Sequence, residues 1–235
     1  MVEQKRTLPV FTFFLLAVLR LAAGDVASFV DLGFSEDGST YIFAQYGVEE
    51  ATLHPWADLN IVNVAQNDFV PGGRFSYVHG EEIGPVQDGS GALMNLIAKN
   101  AAATERYKLD FLIKGIPLFL SLENGQNPAG ETIEFRDFRN ERHYRAELVP
   151  TLDYSSGGLH SSFYINVHRT DKTGAARQYR VGTPQIKRAS ITSYTIKKVL
   201  INPQNTDMIF VIEMTRETGS APDIRYMIEA LKLGR

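Results

Sequence analysis

The chain has 235 residues, a formal net charge of −3, 44% hydrophobic and 22% charged residues, and no cysteine. That length holds one or two domains with a core that needs no staples, and the composition excludes wholesale disorder and collagen-like or coiled-coil repeats. Without cysteine there is no disulfide framework, thiolate metal site, thiol nucleophile or lipid-modified N-terminal cysteine, and so small a net charge gives no electrostatic case for nucleic acid.

Residues 1–24 have the three zones of an export signal. Lys5 and Arg6 form a positive start, Leu8 to Leu19 is an apolar run, and Ala22 and Gly24 stand at −3 and −1 of a cut before Asp25. A retained membrane span needs about 20 apolar residues, and Arg20 interrupts this run early. The expectation is a cleaved N-terminal signal helix, a single β-rich domain over 25–235 and no membrane span once the signal is gone. Removing 1–24 takes Lys5, Arg6 and Arg20 but only one acid, Glu3, so the mature chain is more acidic than its precursor.

Val26–Leu32 reads as a strand, and Ser35-Glu36-Asp37-Gly38-Ser39 as the turn that follows it. Thr40–Tyr46, Asp58–Val64 and Arg74–Val78 continue in strand register, with Gly47–Ala57 as a loop between the first two. After Gly89 the period changes. Leu93, Leu96, Ile97 and Ala101 recur at helical spacing behind Ser90 as N-cap, which predicts one helix over 92–107 whose stripe packs on the core. Strand signals return at Ile116 and run through the alternating Phe163, Ile165 and Val167, with turns at Asn124-Gly125, Gly157-Gly158 and Thr173-Gly174. Ile191–Ile201, Asp207–Thr215 and Asp223–Leu233 complete the chain. The last of these also fits a helix, but the repeat described next assigns it to a strand.

Phe34–Phe43 matches Ile201–Phe210 at constant offset. Each is an apolar residue, a polar turn and a strand bearing Ile-Phe at the same place, and Asp58–Ile61 then matches Asp223–Tyr226 with two fewer residues between. A repeated antiparallel meander is how propeller blades are made. The stretch LGFSEDGSTYIFAQYGVEE…ADLNIVNV resembles a blade of TolB-like propellers. With YRVGTPQIKR…YTIKKVLINP…MIFVIE…IRYMIEA, the chain is similar to a family of predicted secreted bacterial proteins of unknown function. The resemblance implies export and a β-rich fold and supplies no activity and no site residue. The expected architecture is mostly β, with antiparallel meanders resembling propeller blades near 26–78 and 191–233. A two-sheet β-sandwich is the alternative.

The familiar chemistries are missing from the linear sequence. No pair among His54, His79, His143, His160 and His168 has HExxH spacing. Ser90 is flanked by Asp88 and Ala92 where a nucleophile elbow needs glycines, and no phosphate-binding glycine motif is present. No catalytic residue, metal ligand or cofactor is therefore assigned. Arg136, Arg139, Arg142 and Arg145 recur every third residue. On a helix they would make an anion patch, but the flanking strands and the interleaved Asp137, Glu141 and Glu147 favour a salt-laced hairpin. The Gly47–Ala57 loop joins Glu49, Glu50 and His54 to the only tryptophan, Trp56, the mix that recognition loops favour. Trp56 folded beneath the loop as a plug fits as well. The sequence thus points to an exported, periplasmic or secreted binding or scaffolding module without catalysis, for a protein or cell-envelope ligand. A hydrolase with a site assembled from separated residues is the alternative.

Overall fold

The computed structural model describes residues 25–84, 87–122, 129–155, 157–217 and 221–234, so the expected signal segment and the Asn124-Gly125 turn lie outside the described residues. The elements in chain order are β1 Ser28–Ser35, β2 Thr40–Val48, β3 Pro55–Asn63, β4 Asp68–Val78, α1 Ser90–Lys99, α2 Ala101–Arg106, β5 Leu109–Asp110, β6 Ile116–Leu120, β7 Glu131–Asp137, β8 Arg142–Asp153, β9 His160–Thr170, β10 Ala176–Val181, β11 Arg188–Ala189, β12 Ile191–Ile201, β13 Asp207–Glu217 and β14 Pro222–Lys232. They build three antiparallel sheets, which do not close: sheet I in the order β4-β3-β2-β1-β5, sheet II as β10-β9-β8-β7 with β11 beside β9, and sheet III as β14-β13-β12-β6. The fold is mostly β, as the sequence predicts.

The sheets stack in layers. Alternate residues of β13 part to two cores: Met208, Phe210 and Ile212 meet Tyr144, Phe163, Ile165 and Val167 of sheet II, while Ile209 and Val211 meet Phe34, Tyr41, Phe43 and Val62 of sheet I. In β2, Ile42 and Ala44 turn the other way, onto Ala92, Leu93 and Leu96 of α1. The order is helix, sheet I, sheet III, sheet II, one sheet more than a two-sheet sandwich. Sheet III is covered on both faces, which explains the continuous apolar run Met208–Ile212 in β13, whereas β7 and β8 alternate inward and outward residues because their far face is wet. Each fully buried Phe or Leu contributes about 1.5–3 kcal/mol of transfer free energy.

The hairpins β1–β2 and β12–β13 share a register next to their turns: Phe34 faces Tyr41 as Ile201 faces Met208, and Gly33 faces Ile42 as Leu200 faces Ile209. Asp223–Leu233 lies in strand β14, not in a helix. The third strands do not align as the sequence match suggests. Asn60 faces Phe43 and Glu229 faces Phe210, so Asp58, opposite Gln45, corresponds to Met227 and not to Asp223, which pairs with Arg216. The two meanders pack face to face through one shared core.

The expected single helix is two. The Asn100 side chain donates to Leu96 O at 2.8 Å and its backbone N–H reaches both Leu96 O and Ile97 O, closing α1 before α2 begins. Nor is Ser90 the N-cap. Asp88 Oδ1 accepts both the backbone N–H of Ser90, at 3.0 Å, and its hydroxyl. No helix among the described residues is long and apolar enough to cross a membrane.

Candidate functional site

The loop that follows β2 spans only 49–54 once Gly47 and Val48 join β2 and Pro55–Ala57 join β3. Glu49 and Glu50 are exposed, His54 is half-buried, and Leu53, 45% exposed, turns outward. Glu49 Oε2 accepts the Thr52 hydroxyl at 2.6 Å, which braces the loop. Trp56 does not belong to this surface. It is 8% exposed, and its indole N–H donates to both carboxylate oxygens of Asp25, at 3.2 and 3.1 Å. Arg225 lies over the indole ring at 4.3 Å and gives Nη2 to Asp25 Oδ2 at 2.6 Å. Gly47 permits this, because a Cβ there would stand 3.0 Å from both the indole and the Asp25 carboxylate. Burial pushes the Asp25 carboxyl above its ordinary range, with Arg225 and Trp56 opposing the shift. Asp25 is further tied to β14. Its N–H donates to Asp223 Oδ1 at 3.2 Å, its carbonyl accepts Ile224 N–H at 2.9 Å, and Val26 makes a parallel bridge to Ile224.

The four spaced arginines fall on a hairpin, β7–β8, and the strand alternation divides them. Arg136, Arg139 and Arg145 are exposed. Arg136 covers the Phe138 ring at 5.6 Å, and Arg145 lies 3.6 Å from Glu134, an exposed pair of small energetic consequence. Arg142 alone shares the inward parity of Tyr144 and Ala146 and is half-buried.

A site the sequence does not announce lies where the three sheets meet. A cleft of about 110 Å³ is lined by Asn67 of the β3–β4 turn and Phe69 of sheet I, by Arg188 of β11 with Ile186 just before it, and by Met227 and Glu229 of sheet III. Glu229 is 3% exposed. Its carboxylate accepts the Asn67 amide, while Asn67 Oδ1 takes the Ala230 N–H at 2.5 Å, so this one asparagine, in a left-handed turn (φ 51°), laces sheet I to sheet III. Burial raises the Glu229 pKa, and the Asn67 hydrogen bond and the Arg188 charge offset part of the shift. Arg188 is braced against the Phe163 ring at 5.3 Å and by Ile186 O at 3.4 Å. Phe69 and Ile186 remain 40% and 54% exposed at the rim. A buried carboxyl and a guanidinium lining one cleft together with apolar side chains can hold a small ligand that both donates and accepts hydrogen bonds. The sequence signal was an acid, Glu229, inside the otherwise apolar run Met227–Leu231. Among the described residues no group of three His, Asp or Glu side chains could hold a metal ion.

A second, wider cleft of about 340 Å³ opens between the two repeated turns, lined by Asp37, Ser39, Thr206, Asp207 and Lys232. Its carboxylates are engaged locally: Asp37 accepts from Ser35 and Ser39, and Asp207 from Asn202 and Thr206.

No curated protein and no solved structure matches this chain. The family DUF2259, described as predicted secreted proteins, matches residues 42–232. That match takes in β3, the helices, all of sheets II and III and the whole cleft at Glu229, and the chain therefore belongs to DUF2259.

Proposed function

We propose that this secreted-family protein is a periplasmic or extracellular binding module without catalysis, and that the cleft at Glu229 is its ligand site. The observation that carries this is the placement of Glu229 and Arg188 on separate sheets around one cleft. An ammonium or amide N–H of the ligand meets Glu229, and a carboxylate or carbonyl meets Arg188. At about 110 Å³ the cleft suits a zwitterion of amino-acid size. The exposed edge Glu49, Glu50 and Leu53, with His54 at its base, is left for a protein or envelope partner.

Thermal denaturation with glycine and L-alanine as probes tests the cleft. A ligand at a hundred times its dissociation constant adds about 2.7 kcal/mol of stability. The melting temperature should rise saturably for the wild type and stay flat for Glu229→Gln and Arg188→Met. Equal shifts in all three proteins, or none in the wild type, would end this assignment.

A further inference from the structure

At the far end of sheet II from the Glu229 cleft, the inward face changes from apolar to basic. Phe135, Tyr144 and Arg169 stand side by side on β7, β8 and β9, with Asp137 and Arg142 forming the next pair outward. Tyr179, opposite Val167, closes the group from β10, and the Arg169 guanidinium lies 5.7 Å from its ring. Arg169 is 6% exposed. Its Nε and Nη1, Nη1 of Arg142, and the hydroxyls of Tyr144 and Tyr179 are all buried with no hydrogen-bond partner.

The carboxylates nearby do not fill this need. Asp137 Oδ1 accepts the N–H groups of Arg139 and Asn140, and its Oδ2 takes the Asn140 amide, so it closes the β7–β8 turn. Asp171 accepts from Thr173 twice and from Ala175 once, closing the β9–β10 turn. Among the described residues neither Arg142 nor Arg169 makes an ion pair. A buried guanidinium with no carboxylate in contact is unfavourable: the Arg169 charge acts on Asp171 only without a contact pair, and each orphaned donor adds its own desolvation cost. The Tyr144 pKa reflects the same crowding: burial raises it, the approach of the Arg142 guanidinium to the hydroxyl and the charges of Arg142 and Arg169 lower it, and Asp137 adds to the rise. From sheet III, the neighbour is the β12–β13 turn, whose Asn205 Oδ1 accepts the Asn140 amide at 3.0 Å.

We propose that Arg142, Arg169, Tyr144 and Tyr179 form a binding site for a small oxyanion of the phosphate type, entering between the β7–β8 and β9–β10 turns. Five donors converge where a carboxylate has only two oxygens to receive them. A phosphate presents more oxygens and carries the larger charge that two guanidiniums call for. Arg142, half-buried at the mouth, meets the anion first, and Arg169 holds it from inside. The source is free phosphate or a phosphomonoester, and the site is independent of the Glu229 cleft.

Isothermal titration of the full chain with inorganic phosphate, sulfate and glycerol 1-phosphate, at constant ionic strength in chloride, reads this directly. Saturable binding of phosphate is expected, weakened at least tenfold in Arg142→Gln, a half-buried position whose loss leaves the core intact. Arg169→Lys keeps the charge but not the planar donor set, and should also weaken binding. Glycerol 1-phosphate binding as tightly as phosphate assigns the site to monoesters, and its exclusion assigns it to the free ion. Absence of phosphate binding to the folded wild type, or binding unchanged in Arg142→Gln, overturns the proposal. Glu229→Gln should titrate like the wild type.

Discussion

Trp56 is fixed by an acid at its N–H, a guanidinium on its face and a glycine beneath it, so its loss is felt in folding. Trp56→Ala should cost about 3–5 kcal/mol in urea denaturation, the range for large aromatics removed from cores. Trp56→Phe keeps most of the volume and removes the donor, and should cost about 1–2 kcal/mol, because Asp25 retains Arg225. Glu229 makes a different demand. Its folded pKa lies above the unfolded one, so between the two values the folded state binds more protons. Stability from this group is therefore greatest below the unfolded pKa and falls as pH rises through the folded value. Asp25 and Glu131 are raised by burial in the same sense, so Glu229→Gln should flatten part of this decline and leave the rest. Denaturation midpoints between pH 4 and 8 measure it, and identical slopes in both proteins would refute the assignment.

At the scale of elements, α1 docks on sheet I through a very close approach: a Cβ on Gly89 would stand 2.2 Å from the carbonyl oxygen of Gly47. Gly89→Ala must lift the start of the helix away from β2, at a cost of about 1–3 kcal/mol typical of overpacking. The exposure of Leu93 and Leu96 that follows should appear as faster amide exchange across α1. The strands were legible because solvent and core leave different periods in the sequence. Phe163, Ile165 and Val167 alternate, since sheet II has one wet face, while the run around Ile209–Ile212 is continuous, since sheet III has none. The Asn100 break was not legible, because it depends on one side chain turning back to Leu96 O rather than on any loss of apolar spacing. The offset of the third strands escaped for a similar reason. Matching aspartates were visible, but register is set by cross-strand burial, and Asp58 and Asp223 face different partners.

For the whole molecule, the candidate sites lie where chain segments remote in sequence converge, and this is why they left so little trace in linear motifs. Asn67 reaches Glu229 across 162 positions, and Tyr144, two residues from Arg142, meets Arg169 only because β8 and β9 are paired along their length. The spaced arginines were visible as a pattern, but strand parity, not spacing, decides that Arg142 turns inward and its neighbours do not.

The bond from Asp25 N–H to Asp223, 198 positions away, has a consequence in time. Asp25 cannot settle in this place until strand β14, which carries Asp223, has been made, so this part of the molecule closes late. With the proposed cut before Asp25, the donor at this spot changes from a neutral amide to a free ammonium. The local balance of two carboxylates and one guanidinium, Asp25, Asp223 and Arg225, then gains the positive charge it was short of. Severing the leader would thus act as a late fastening. Chain beginning at Asp25 should resist urea better than chain retaining 1–24 by about 1 kcal/mol, the scale of a partly exposed charge pair. Asp223→Asn should erase that difference, and a precursor as resistant as the trimmed chain would show that the new charge is left to solvent.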